Sequence, residues 1–547
     1  MTLKKLALAA AMFAAPISYA CDKCEKISAA EPAVLLDNVT ALHHPVTTKS
    51  PEAQTWFDQG LSLVFAFNHD EAIRSFKKAA EIDPQCAMAW WGVALALGPN
   101  YNIDVTPETE VAAYEAIQKA VALKDKVSQV DRDYIDTMAV RFTNAKDPDL
   151  KKLAHDYVAA ARKLSEKYPD DMDAATMYAE SLMLLRPWKL FTPAGEPEPG
   201  TNELIAVLEH VLRRDPNHVG ANHLYIHAVE NSPNPEKGLP SADRLPLLSP
   251  ASGHLVHMPS HIYQRVGDYD SAASSNEAAI AVDDEYFKTR SRACTYGMLY
   301  YNHNVHFASW AHAWQGNLTP ARKFARKLHD EVIPILPDMP MLEQFVTFSG
   351  LIELGFAQWD AILSMPKPAD NLKMTLALWH FERAMALAAT GKLPEARSER
   401  EQFDAVRKSI PAETMYGMLN PATDVFAVAD ELVAARLAEA EKDFDKAVAH
   451  LTRATELQRK LVYEEPAAWP FSCRQNLGGL LLRAGRYADA EKAFREDLKY
   501  YPRHGRSLFG LWQSLARQGR EYEASVVERQ FESAWKRAEV KLNIDML

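Results

Sequence analysis

Residues 53–84 read AQTWFDQGLSLVFAFNHDEAIRSFKKAAEIDP, and this stretch decides the fold. Its apolar residues recur at helical spacing in two runs. Gly60, Ala72 and Ala79 are small enough to let two antiparallel helices approach closely. Trp56 and Phe76 are large enough to fill the gap between neighbouring pairs. Pro84 ends the second helix, because proline cannot continue one. Trp56 has a counterpart one 34-residue period later, at Trp90.

The pattern returns along the chain. Gly267-Asp268-Tyr269 with Ala272 and Ala279 repeats the turn and second helix. Gly316-Asn317 to Ala321, Gly391-Lys392 to Ala396 and Gly485-Arg486-Tyr487 to Ala490 mark further turns. Asp83-Pro84, Asp215-Pro216 and Tyr501-Pro502 mark repeat ends. No alternating strand pattern of useful length appears. On these residues the chain resembles tetratricopeptide-repeat (TPR) proteins. The resemblance implies an all-α, TPR-type helical-hairpin solenoid with irregular proline-rich insertions. Those insertions are Pro187–Thr201, read as an ordered loop or lid, and Asn231–Pro250, with five prolines around one second helix. The Pro- and Met-rich stretch from Glu331 to Lys373 is the expected boundary between an array over 51–330 and one over 331–547.

Composition excludes other classes. Of 547 residues, 48% are apolar and 24% charged, which rules out a disordered chain. Lys and Arg total 61 against 73 Asp and Glu, a net charge of −12, so no basic surplus exists to neutralise phosphates and no nucleic-acid partner is expected. Lys4-Lys5, an apolar run from Leu6 and Ser18-Tyr19-Ala20 read as a signal peptide over residues 1–20. The mature protein is therefore expected to be exported, and periplasmic if the source is Gram-negative. No later stretch is apolar enough for a transmembrane helix. The absence of Leu three residues before Cys21 argues against a lipid anchor there. Cys21 and Cys24 form a CxxC in an N-terminal tail over 21–50; export permits a disulfide between them.

The histidines carry the functional signal. Nine of the 18 lie between His210 and His306. With Trp56 as position 4 and Pro84 as position 32, the TPR resemblance implies that first-helix positions 2, 5, 9, 12 and 13 face the concave groove. In that register His223, His227 and Glu230 fall at 5, 9 and 12 of one repeat. His254, His257 and His261 fall at 2, 5 and 9 of the next, and His303 and His306 at 2 and 5 of the third. Glu180 falls at 9 of the repeat upstream, and Arg265 at 13. His223/His227 and His257/His261 are i, i+4 pairs, each able to hold one ion from one side of a helix. Seven inward histidines with Glu230 suffice for two metals, with Glu180 as a further oxygen ligand or backing group.

The imidazole set leans to copper or zinc, and the carboxylates admit iron. Met258 and Met298 are sulfur candidates for copper, although position 6 puts Met258 off the groove. The HExxH protease motif, the Walker A loop, the GxGxxG turn and the GxSxG elbow are absent, so the sequence assigns no reaction and no catalytic residue. The combination HxxxHxxE, GHLVHMPSHIY and NHNVH is also similar to a group of large exported bacterial TPR proteins, a resemblance that implies the fold and no activity. Two alternatives stand beside metal binding. One is a scaffold whose groove binds peptide or protein partners, the usual role of TPR proteins. The other is a binding protein for a small anion held by Arg265.

Overall fold

The computed structural model describes residues 31–39 and 42–547. The leader over 1–20 and the Cys21–Cys24 pair lie outside the described residues. Among those described, the architecture is all-α apart from a two-residue antiparallel ladder, Met415–Tyr416 with Asn420–Pro421, and one isolated bridge between Phe191 and Pro197. No helix among them is long and apolar enough to cross a membrane.

The founding hairpin pairs Pro51–Phe65 with His69–Ile82. Ser50 and Asn68 cap the two helices by accepting from backbone N–H groups. Phe76 shows why the sequence pattern works. Its ring lies against Gly60 of its own hairpin and Gly92 of the next, where an added Cβ would sit 2.6 and 2.4 Å from ring carbons. At the other end of the chain Phe494 lies between Gly478 and Gly510 in the same way and at the same sequence spacing. One buried aromatic keyed between two glycines thus packs a hairpin on its neighbour near each end of the solenoid.

Helical hairpins follow one another to Glu521–Trp535. Most turns put one residue in the left-handed region just before the second helix. Gly267, Gly316, Gly391, Gly485 and Gly519 do so without steric cost. The first hairpin uses Phe67 instead, at φ 56°. A non-glycine residue there costs about 1–2 kcal/mol, and Ala357 and Lys442 take the same conformation in later hairpins.

The N-terminal array coils tightly enough for its first hairpin to meet its fifth. Gly220 of helix Val219–Glu230 faces the Phe65 ring, which leaves no room for a Cβ. Packing also runs on across residue 331: Phe307, Trp310 and Trp314 share one core with Phe348, Phe356 and Trp469. The Trp310 and Trp314 indoles both donate to the Pro470 carbonyl, at 3.1 and 2.9 Å. The loop after Gln458 is thereby brought back onto the first helices of the histidine-bearing repeats.

Candidate metal centre

Three first helices, in successive hairpins, build the site. Val219–Glu230 contributes His223, His227 and Glu230, one turn apart and all at most 1% exposed. The next is split by Pro259 into Gly253–His257 and Pro259–Arg265. His254, His257 and His261 still stay on one side of it and are equally buried. The third helix, Asn302–Gln315, is entered through a wide π-type turn, Tyr296–Tyr301, a geometry frequent at functional sites. Only glycine fits at position 297 of that turn, since a Cβ would lie 2.4 Å from the Arg292 carbonyl oxygen. This helix adds His303.

The result is two adjacent groups of three imidazoles, His223/His227/His254 and His257/His261/His303. Within each group, one ring nitrogen per residue lies within 4.8 Å of the others. His227, Glu230 and His261 form a third group that joins the two.

Hydrogen bonds behind the rings fix which nitrogen faces inward. His223 Nδ1 donates to the Phe65 carbonyl at 2.6 Å, which leaves Nε2 with its lone pair, 3.2 Å from His254 Nε2. Asn276 Nδ2 donates to the Ala272 carbonyl at 2.7 Å, so its Oδ1 must be the atom that accepts from His257 Nδ1 at 2.6 Å. His257 Nε2 is therefore bare. Two further ring nitrogens aim at that one lone pair: His261 Nε2 at 2.8 Å and His303 Nε2 at 3.2 Å. At most one of them can donate to it. Two other buried ring nitrogens, His227 Nε2 and His254 Nδ1, have no hydrogen-bond partner. Each such orphan costs about 1–3 kcal/mol.

Electrostatics follow from the enclosure. Burial, reinforced by neighbouring imidazoles, holds His223, His227, His254, His257 and His303 well below the ordinary histidine range, so all five are neutral. His261 goes the other way. Burial opposes its charge, but the Glu465 and Glu230 carboxylates raise it to about 10. Its Nδ1 donates to Glu230 Oε2 at 2.5 Å, and Glu465 Oε2 stands 2.7 Å away. Burial in turn pushes both carboxyls up, Glu465 to about 7. The other Glu230 oxygen, Oε1, accepts from His227 Nδ1 at 3.0 Å. Glu230 thus stands behind two imidazoles as well as within reach of an ion.

Aromatic rings wall the cluster. Phe67 lies 4.4 Å from the His223 ring and 5.4 Å from His254. Tyr101 lies 4.9 Å from His227, and Trp188, in the 187–201 insertion, stacks on Tyr101 at 5.2 Å. Tyr300 covers His254 at 4.8 Å, and Phe307 covers His257 and His261 at 5.3 and 5.5 Å.

The remaining candidates are placed elsewhere. His306 packs edge-on against Phe345 and Phe348, and burial lowers it to about 3; it joins none of the groups. Glu180 is also outside them; burial raises it to about 6 against the opposing charge of Arg141. Arg265 donates from Nε to the Glu230 backbone carbonyl at 2.8 Å and lies over Tyr463, so it braces the end of the first histidine helix. Met258 and Met298 are packed into hydrophobic cores. A further group, His44 with Asp171 and Asp173, is tied up internally: Asp173 accepts from His44 at 2.7 Å and from His218 at 3.1 Å, and Asp171 from the Tyr134 hydroxyl at 2.8 Å. Cys86, Cys294 and Cys473 are buried free thiols.

Asn276, Glu465, Phe67 and the Phe65 carbonyl are partners that escaped the sequence reading. Asn276 lies on the second helix of its hairpin, and Glu465 reaches the cluster only through the tertiary closure of the loop after Gln458. Phe67 left only a weak signal, since it occupies a turn position that five other hairpins give to glycine but two give to Ala357 and Lys442.

Comparison with known proteins bears on the fold. Residues 53–86 and 476–524 each match a tetratricopeptide-repeat family model. No curated protein matches the chain. Among solved structures, the human IFIT1 dimer with PPP-AAAA is 14% identical over 89% of this chain and 91% of its own, with a TM-score of 0.33. The APC/C hetero-tetramer Cut9-Hcn1 is 13% identical over 88% of this chain and 76% of its own, with a TM-score of 0.30. Likeness at that level carries no argument about what this chain binds.

Proposed function

We propose that this tetratricopeptide-repeat protein binds transition-metal ions, copper or zinc, through its two imidazole triads. The observation that carries the reading is the His257 Nε2 lone pair, faced by two more ring nitrogens at 2.8 and 3.2 Å. His261 Nε2–H can donate to that lone pair, which leaves His303 Nε2 facing it at 3.2 Å in a buried site, and an ion that takes the place of the His261 proton would satisfy all three nitrogens at once. Nitrogens bound tetrahedrally to one ion at about 2.0–2.1 Å stand roughly 3.3 Å apart, close to the 3.2 Å found for two of the three pairs. The backing bonds support the same reading: metal-bound histidines characteristically donate their other N–H to a carbonyl or carboxylate. His223, His257 and His261 all do so. Neutral imidazoles favour copper or zinc, with iron next.

The tetratricopeptide hairpins are in themselves a scaffold for protein contacts. The outer faces of the array remain available for partners while the metal centre uses the inner helices. The basic, apolar, then small-residue start of the chain supports export, so the centre would meet its metal outside the cytosol.

A titration tests the reading. Metal-free protein competes with a chromophoric chelator for Cu(II) and, separately, for Zn(II). Up to two equivalents are expected to bind with submicromolar affinity, and the thermal midpoint is expected to rise. Metal at a hundredfold excess over Kd adds about 2.7 kcal/mol of stability. A chelator that retains all metal at micromolar protein would overturn the proposal.

A further inference from the structure

We infer that the two triads act as one dinuclear centre, in which two ions share a single small oxygen ligand such as hydroxide and Glu230 aligns both halves. The inference rests on the metal-binding reading above and goes beyond it, since two separate ions would satisfy that reading equally well.

Three observations lead to it. First, each triad offers three protein ligands, the count that leaves one position of a four-coordinate ion open to an outside ligand. Glu230 is grouped with both triads, but its two oxygens already accept from the His227 and His261 ring N–H groups. Met258 is turned into the core, and the rings of Phe67, Tyr300 and Phe307 present carbon faces. Second, the triads meet ring to ring. His227 and His261 are 5.4 Å apart at their centroids, and His254 and His257 are 5.8 Å apart. In a site whose ligands are almost all within 1% of full burial, two open positions that face one small volume are filled by one shared ligand. Two-metal sites of that kind hold their ions about 3.5–4 Å apart and bind one oxygen between them. Third, Glu230 accepts from His227 of one triad at 3.0 Å and from His261 of the other at 2.5 Å. One carboxylate therefore sets the ring orientation of one ligand on each ion.

The test uses Cu(II) as the probe on the full chain, with copper content and double-integrated EPR intensity measured on the same sample. Two Cu(II) ions joined by hydroxide couple their spins, so two coppers per chain with most of the signal missing is the expected result. Two coppers with full intensity would overturn the shared-ligand inference and leave the metal reading intact. A chain that takes up no copper would fail both. Glu230→Gln supplies one acceptor where two imidazole N–H groups point. It is expected to retain the first copper, to bind the second roughly 10–100-fold more weakly and to restore the EPR signal. A Glu230→Gln protein that binds two EPR-silent coppers as wild type does would remove Glu230 from the argument. The wild-type spectrum decides the dinuclear claim even if the variant does not fold.

Discussion

Replacing His257 by alanine is expected to cost the second triad its ion while the helices stay in place. His257 is the hub of that triad. Its Nε2 meets both His261 and His303, and its ring is held from behind by Asn276. Without it, two imidazoles remain, and His303 stands on a different helix from His261 with no shared anchor. Loss of a backing group alone lowers metal affinity about 10–100-fold, and loss of the ligand itself exceeds that. One equivalent should disappear from the metal content of the purified variant, with the helical circular dichroism signal unchanged. The same substitution at His306 is the control. That ring lies against Phe345 and Phe348 and should leave metal content at the wild-type value.

The largest effect on the fold is expected at Phe76. Alanine there removes a fully buried ring that lies against Gly60 and Gly92. Neither glycine has a side chain to move into the space, so the void cannot close without a shift of whole helices. Phe→Ala in such a setting costs about 3–5 kcal/mol. The loss is read as a fall in the denaturant midpoint followed by helical signal. Since the first hairpin also packs on the fifth and is bonded to the histidine-bearing repeats, the loss is expected to spread through the N-terminal array before the C-terminal hairpins unfold, which broadens the transition. Phe494→Ala should act in the same way on the C-terminal hairpins, and an unbroadened, cooperative loss in both variants would contradict separate unfolding of the two arrays.

How much of this was legible in the sequence follows from the range of each interaction. The hairpins were legible because their determinants are local: Trp56, Gly60, Phe76 and Pro84 lie within one repeat and act within it or on the next. The inward placement of His223, His227, His254, His257 and His261 was legible for the same reason, since helical register relates positions on one face. His303 and His306 mark where register stops working. His306 lies one turn beyond His303 on the same helix, where its ring meets Phe345 and Phe348 of the following hairpin instead of the cluster. Arg265, read as an anion binder, instead braces a helix end, because the carbonyl it meets is exposed only by the way two hairpins stack. The Phe65 carbonyl and Glu465 were beyond reach. They arrive from opposite ends of the chain, one through the coil of the first array and one through the loop that Trp310 and Trp314 anchor at Pro470.

The most direct test of the central claim is elemental analysis of untagged protein purified from its native source, beside a His223→Ala/His257→Ala double variant. One residue is removed from each triad, so the comparison reports on both at once. The account expects one to two equivalents of copper or zinc in the wild type and none in the folded variant. Wild-type protein that carries no transition metal and takes none up from micromolar solution would contradict it.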